Sequence, residues 1–227
     1  MGFALQTSKP VFPAEYLQIH PSASPPPDIL PIKSRALTDQ GPTGQVAHGF
    51  RSETVKLLHA MRIVTMRLYN FHHGVLEHTD IQSLVDERSE IQEYLVSLPS
   101  ANDPEDRAHR GDDIYEACRL AARIYWGCIY TTTPFSADTN GSHMVALKAA
   151  LEKTNDELWW NAAPEVLVWT CLVGGAAARY RPERGWFIAR LGPTMVTLGE
   201  KRPTELQGSL LTFGWLAGMC EARLKLF

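Results

Sequence analysis

Residues 161–181 read NAAPEVLVWTCLVGGAAARYR, and this stretch decides the fold. From Val166 to Ala178 the apolar run is interrupted only by Thr170 and two glycines. The run is shorter than the roughly 20 apolar residues that a membrane-spanning helix needs. A helix that is apolar on nearly every side is instead typical of the centre of a soluble bundle. The sequence therefore predicts a buried central helix at about residues 162–180.

Both ends of this predicted helix carry the expected signals. Pro164 suits the first turn, where its missing N–H is not needed, and the Glu165 carboxylate favours a helix N-terminus. Residues 179–182 bring positive charge and a proline, which favour a helix end. Within the helix, Gly174 and Gly175 would let a neighbouring helix approach closely. Leucine at Gly175 is therefore expected to overpack the core.

The rest of the chain divides into a leader and one helical domain. Eight of the fifteen prolines lie in residues 1–42, including Pro25-Pro26-Pro27, which favours an extended or disordered leader. Through most of residues 43–227, apolar side chains recur every three or four positions, and we find no convincing strand pattern or repeat. We expect an all-α fold, an irregular bundle of about six to eight helices packed around the central helix.

Composition and charge exclude several classes of protein. A net charge of −3 gives no reason to expect binding to nucleic acid or to an anionic membrane. The N-terminus lacks the charged and apolar regions of a secretory signal, so we do not expect secretion. The cysteines show neither a C-x-x-C pair nor zinc-ligand spacing, and we expect buried free thiols at Cys118, Cys128, Cys171 and Cys220.

The sharpest enzymatic pattern is Asp112-Asp113-Ile114-Tyr115-Glu116, which resembles the DDxxE motif of class I terpene synthases. Carboxylates one helical turn apart could hold a diphosphate through magnesium ions. Those enzymes also carry a second motif, but at Asn155-Asp156 the required positions are occupied by Trp159 and Ala163. The preferred interpretation is that Asp112 and Asp113 cap a helix and complement its dipole.

No catalytic group, metal site or cofactor is predicted. His72, His73 and His78 are close in sequence, but they lie on different faces of a helix end or across a turn. Trp159-Trp160 precedes the central helix, where we expect one ring to face the core and the other a groove. Positive charge is densest after that helix. The residues predicted to contact a ligand or partner are Trp159, Trp160, Arg179, Arg181, Arg184 and Trp186.

Several apolar runs occur in an order that resembles a known family. They are YEACRLAA at residues 115–122, LWW at 158–160, PEVLVW at 164–169, GGAA at 174–177 and GWFIA at 185–189. The chain resembles the C-terminal helical region of fungal binuclear zinc-cluster transcription factors over roughly residues 34–227. That resemblance implies an effector-responsive regulatory domain at residues 43–227 of a nuclear transcription regulator. We expect a non-enzymatic domain that acts through a protein partner or a small effector. Without the resemblance the expected location is the cytoplasm, and the oligomeric state is open, with a homodimer as one alternative.

Two features depart from that family. The six-cysteine DNA-binding cluster is absent, so direct DNA binding by this chain is not expected. Gly192-Pro193 interrupts a helix that the family continues, and we expect a kink or a split there.

Gly141-Ser142-His143-Met144 has the sequence that a cleaved expression tag leaves behind. It is either native or a replaced loop.

Overall fold

The computed structural model of the chain describes residues 50–72, 80–130, 133–201 and 203–224. Over these ranges it contains eight α-helices and no strand, which confirms the all-α prediction. The helices are α1 (Ser52–His72), α2 (Asp80–Ser97), α3 (Asp113–Tyr130), α4 (Gly141–Lys153), α5 (Asp156–Ala162), α6 (Pro164–Ala177), α7 (Arg184–Lys201) and α8 (Pro203–Leu224). In the described part of the chain, no helix is both long and apolar enough to cross a membrane.

The predicted leader at residues 1–42 lies outside the described residues, as do residues 43–49. Its boundary with the helical domain therefore stays a prediction. His73 and His78 also fall outside the described ranges, so the placement of the three histidines relative to one another is not tested.

The predicted central helix is α6. It begins at Pro164 and packs against α3, α4, α5, α7 and α8. Its side chains are buried on nearly all sides, including those of Trp169 and Cys171. Residues 178–183 form the turn that follows, so the helix ends slightly earlier than the predicted limit of about 180. The fold is therefore a bundle around α6, as its apolar sequence predicts.

A second helix, α3, is as central as α6. It packs against α1, α2, α4, α6 and α8, and most of its side chains are buried. The hydroxyl groups of Thr65 on α1 and Tyr125 on α3 share a hydrogen bond of 2.6 Å. The Tyr125 ring in turn meets Trp169 of α6 edge to face, with 5.6 Å between the ring centroids. The core therefore has two neighbouring axes rather than one.

Of the two outcomes expected at Gly192-Pro193, the split is wrong, because α7 runs without interruption through Pro193, and the kink stays a prediction. Proline removes one backbone donor, which costs the helix a hydrogen bond to the carbonyl four residues earlier. Helix α7 makes one of the two most extensive helix–helix interfaces in the described chain, with α6. That packing can offset a single lost hydrogen bond, so the helix continues past the proline.

Gly141-Ser142-His143-Met144 forms the first turn of α4 and is integrated into the fold. Met144 is fully buried in the core. The Arg181 guanidinium lies directly over Gly141, where an added Cβ would come within 2.8 Å of its Nη2 atom. Whatever its origin, this segment now contributes a buried side chain and a close backbone approach.

The close helix approach predicted at this pair of glycines occurs at Gly174 rather than at Gly175. A Cβ at Gly174 would overlap the Phe187 ring of α7, reaching 2.8 Å from Cδ1 and closer still to other ring carbons. At Gly175 an added Cβ would meet only the Phe187 Cβ, at an ordinary contact distance of 3.6 Å. Both glycines cost helix propensity, but only Gly174 is required by packing. The overpacking that we expected at Gly175 therefore applies to Gly174 instead.

Substituting these adjacent glycines with alanine should therefore separate packing from propensity. We expect Gly174→Ala to lower the free energy of unfolding by about 1–3 kcal/mol, because Phe187 must move. Gly175→Ala should be neutral or stabilise by up to about 1 kcal/mol, because alanine favours helix. Urea denaturation of the two variants measures this difference, and equal stabilities would contradict the packing assigned to Gly174.

Candidate functional site

An open groove lies where α6, α7 and α8 meet the loop that precedes Asp138. Its volume is about 370 Å³. We call it the arginine-rimmed groove and define it by the apolar walls and the two cations that line it, Leu172, Phe187, Leu191, Phe213, Arg179 and Arg184. A volume near the lower end of the roughly 300–1,000 Å³ of small-molecule pockets suits a small ligand.

Small side chains create this space. Gly175 and Ala176 on α6 and Ala217 on α8 all line the groove. Because a Cβ at Gly175 would touch only one neighbouring atom, this face of α6 leaves room beside Phe187. The same pair of glycines therefore serves two purposes, since one lets α7 approach and the next leaves the groove open.

Two of the predicted contact residues, Arg179 and Arg184, come together at this groove. Arg179 lies in the turn after α6, and Arg184 is the first residue of α7. The Arg184 Nη1 atom donates to the Arg179 carbonyl oxygen at 3.2 Å, and the Arg179 guanidinium carbon lies 5.4 Å from the Tyr180 ring centroid. Both arginines are exposed.

Arg181 does not join them. Its Nη2 atom makes an ion pair with Asp138 at 2.9 Å, on the turn before α4. The guanidinium also covers Gly141, which ties the turn after α6 to the start of α4. Arg181 therefore has a structural partner that sequence reasoning did not foresee.

Trp159 and Trp160 are separated as expected, one in the core and one at a groove. Trp159 is fully buried and meets Phe50 edge to face, whereas Trp160 is 43 % exposed. Because its ring is inaccessible, Trp159 cannot itself contact a ligand at the surface of this structure. Trp160 lines a second groove of about 300 Å³ together with Trp186 and Arg190.

We call Trp160, Trp186 and Arg190 the tryptophan surface. The Arg190 guanidinium carbon and the Lys148 Nζ atom lie 5.4 Å and 5.2 Å from the Trp186 ring centroid. Such distances allow cation–π attraction. Arg190 is held by an ion pair with Asp156 and by a hydrogen bond of 3.1 Å to the Thr154 hydroxyl. The cations around Trp186 are thus already engaged by the protein.

The carboxylates of the DDxxE-like motif also have structural partners. Asp112 accepts the Tyr115 backbone N–H at 2.9 Å, as a helix cap does, and forms an ion pair with Arg51 at 2.9 Å. Asp113 lies 3.8 Å from the Lys153 ammonium. Among the described residues, no group of three His, Cys, Asp or Glu side chains is arranged to hold a metal ion.

Glu116 is the most strongly held of the three. Its two oxygens accept two hydrogen bonds from the buried Arg119 guanidinium, at 2.7 and 2.9 Å. The Ala101 backbone N–H and the Ser100 hydroxyl donate to the same carboxylate. Burial raises the pKa of Glu116, but these hydrogen bonds outweigh burial and hold the pKa below its usual range. Glu116 therefore fastens the loop after α2 to α3.

Sequence reasoning missed most of the groove. Phe187 and Phe213 look like ordinary core positions in their own helices, and the loop residues Pro134 and Ser136 carry no signal at all. The available clue was a run of small residues on α6. That run predicts a close approach or an open space, and only the positions of the neighbouring helices distinguish the two.

Comparisons of the chain with protein-family models, with curated proteins and with solved structures found no match.

Removing the Glu116 charge should destabilise the fold and change its acid sensitivity. We expect Glu116→Gln to lower the free energy of unfolding at pH 7 by about 3–5 kcal/mol, because Arg119 stays buried without its counter-charge. Since the folded-state pKa of Glu116 is lowered, its contribution is present above the unfolded pKa of about 4.3 and is lost as the pH falls through the folded value. The variant should therefore show a flatter loss of stability below about pH 4.

The matched control is Glu152→Gln, which breaks an exposed pair with Lys148 and should cost at most about 1 kcal/mol. Chemical denaturation between pH 2 and 7 measures both variants. Similar pH profiles for wild type and Glu116→Gln would contradict the role assigned to Glu116.

Proposed function

We propose that this chain is a non-enzymatic regulatory module that responds to a small effector bound in the arginine-rimmed groove. The observation that carries the proposal is the groove itself, an open apolar space of about 370 Å³ with two arginines on its lining. Binding there would bridge α6, α7 and α8, whose relative positions an effector could stabilise.

The chemistry of the lining supports a binding role over a catalytic one. None of the described residues that line the groove is His, Asp or Glu, the usual general acids and bases. Cys171 lines it, but burial raises the pKa of its thiol to about 12. At neutral pH the thiol is therefore protonated and behaves as an apolar side chain rather than as a nucleophile.

The magnesium-dependent terpenoid enzyme is the alternative proposal, and no contact favours it. Asp112 caps α3, Asp113 lies near Lys153, and Glu116 pairs with Arg119 and accepts hydrogen bonds from the loop after α2. A diphosphate-binding role for Glu116 would require giving up four protein hydrogen bonds. The arrangement instead supports helix capping and loop attachment.

The resemblance to fungal zinc-cluster regulators supplies the wider setting of the proposal. In that setting the domain acts in the nucleus through a protein partner or by forming a homodimer. The tryptophan surface is the part of the described structure best suited to such a partner, because Trp and Arg are enriched at binding hot spots. Its exposed ring, Trp160, lies beside a groove rather than on a flat face.

Filling the groove should abolish effector binding without unfolding the protein. We expect native mass spectrometry of the purified full chain to show a small molecule that is retained by wild type and lost in Gly175→Leu. The leucine would extend into the space that Gly175 leaves open. Gly214→Leu is the matched control, because an added Cβ there meets no atom within 4 Å, and α8 exposes this position. Equal ligand occupancy in both variants would contradict the proposal that the effector binds in this groove.

The regulatory hypothesis also predicts that any DNA binding by this chain is weak and decreases as salt is raised. We expect this chain alone to show no sequence preference on duplex DNA, because its net charge is −3 and the zinc cluster is absent. Fluorescence anisotropy at 50 and 200 mM salt checks this. Tight binding to one sequence that survives the higher salt would overturn it.

A further inference from the structure

The chemistry of the arginine-rimmed groove restricts what it can hold. Its floor and walls are apolar, with Leu172 from α6, Phe187 and Leu191 from α7, and Phe213 from α8. The described polar lining consists of hydrogen-bond donors, Arg179, Arg184, the Ser136 hydroxyl and the buried Cys171 thiol, with no acidic side chain among them. A ligand that matches both parts has an apolar body and a negatively charged end.

Arg184 differs from Arg181 and Arg190 in the kind of group that its guanidinium contacts. Arg181 and Arg190 make ion pairs with Asp138 and Asp156. The hydrogen bond made by Arg184 goes to a backbone carbonyl, that of Arg179. Because a guanidinium has five N–H donors in a planar fork, this bond orients the group and leaves donors for a second acceptor. The arrangement suits bidentate recognition of a carboxylate.

The nearest acidic residue in sequence does not compete for this position. Glu183 precedes Arg184, but it lines a different groove of about 400 Å³, together with Lys148 and Trp186. Arg184 itself lines the arginine-rimmed groove. The turn between α6 and α7 therefore directs positive charge to one groove and negative charge to another.

The volume of the groove limits how much of a ligand it can bury. Dividing about 370 Å³ by the roughly 30 Å³ that one water molecule occupies in the liquid gives on the order of twelve non-hydrogen atoms. Ile188 lines the groove and is 56 % exposed, so the groove opens to solvent beside Arg184 rather than being enclosed. A ligand can thus bury its apolar body and keep its charged end at the rim.

We propose that the effector is a small amphipathic carboxylic acid of about this size, whose carboxylate is bound by Arg184 at the rim and whose apolar part packs against Phe187, Leu191 and Phe213. This inference rests on the proposed effector-binding function and adds to it the chemical class of the ligand. The Arg184 charge disfavours a cation, and a neutral apolar molecule gains nothing from that charge.

Three probes of equal chain length test the charge at the end of the ligand. Isothermal titration of the full chain with octanoate, 1-octanol and octylamine should rank octanoate first. We expect about a tenfold tighter Kd for octanoate than for 1-octanol, the ratio that 1.4 kcal/mol corresponds to. Octylamine should bind most weakly, and the preference for octanoate should shrink as salt is raised.

Two arginine variants test which side chain binds the carboxylate of the ligand. Arg184→Gln should weaken octanoate about tenfold and leave 1-octanol unchanged, whereas Arg181→Gln should leave both unchanged because Arg181 faces Asp138. Arg184 is exposed at the start of α7, so its replacement should not disturb folding, and melting temperatures check this.

The outcomes separate the ligand class from the proposed function. If octanoate and 1-octanol bind equally tightly and Gly175→Leu abolishes the binding of both, the preference for a carboxylate is overturned, but the groove is still supported as the effector site. Binding of none of the three probes, with no small molecule retained by wild type, would overturn both. An equal loss of octanoate affinity in Arg181→Gln and Arg184→Gln would overturn the assignment of Arg184.

Discussion

The Phe187 ring lies against the backbone of Gly174, and this contact sets how closely α7 approaches α6. A side chain at Gly174 would force the Phe187 ring to move. In the short turn between the two helices, Arg184 donates a hydrogen bond to the Arg179 carbonyl. The groove then forms beside the contact, where Gly175 leaves space instead of filling it. One glycine pair thus determines both the packing of the bundle and its open site.

A different interaction organises the other side of the bundle. Glu116 and Arg119 form a buried ion pair on α3, and Glu116 also holds the loop at Ser100 and Ala101. Such a pair is costly to desolvate, so it stabilises the fold only while every hydrogen bond is made. The acidic motif that resembles a metal site is therefore accounted for by the requirements of a helix N-terminus and a buried arginine.

The candidate site could be predicted in composition but not in arrangement. Tryptophan and arginine flanking a buried helix indicated a contact region, and the alternation of Trp159 and Trp160 followed from their adjacent positions on α5. The sequence could not predict which arginines have an acidic partner. Asp138 pairs with Arg181 across more than forty residues of chain, and Asp156 pairs with Arg190 across more than thirty. These pairings depend on helix placement, which local periodicity does not encode.

By itself the sequence determined the elements of this protein. The apolar run of α6, the three-to-four spacing of the other helices and the Asp112 cap are local properties, because helix hydrogen bonds and caps join residues only a few positions apart. Only the tertiary structure decided that α7 continues through Pro193, that Gly174 and not Gly175 is packed, and that Arg184 rather than Arg181 reaches the groove. Each of these depends on contacts between helices that are distant in sequence, where packing of specific side chains outweighs local preference.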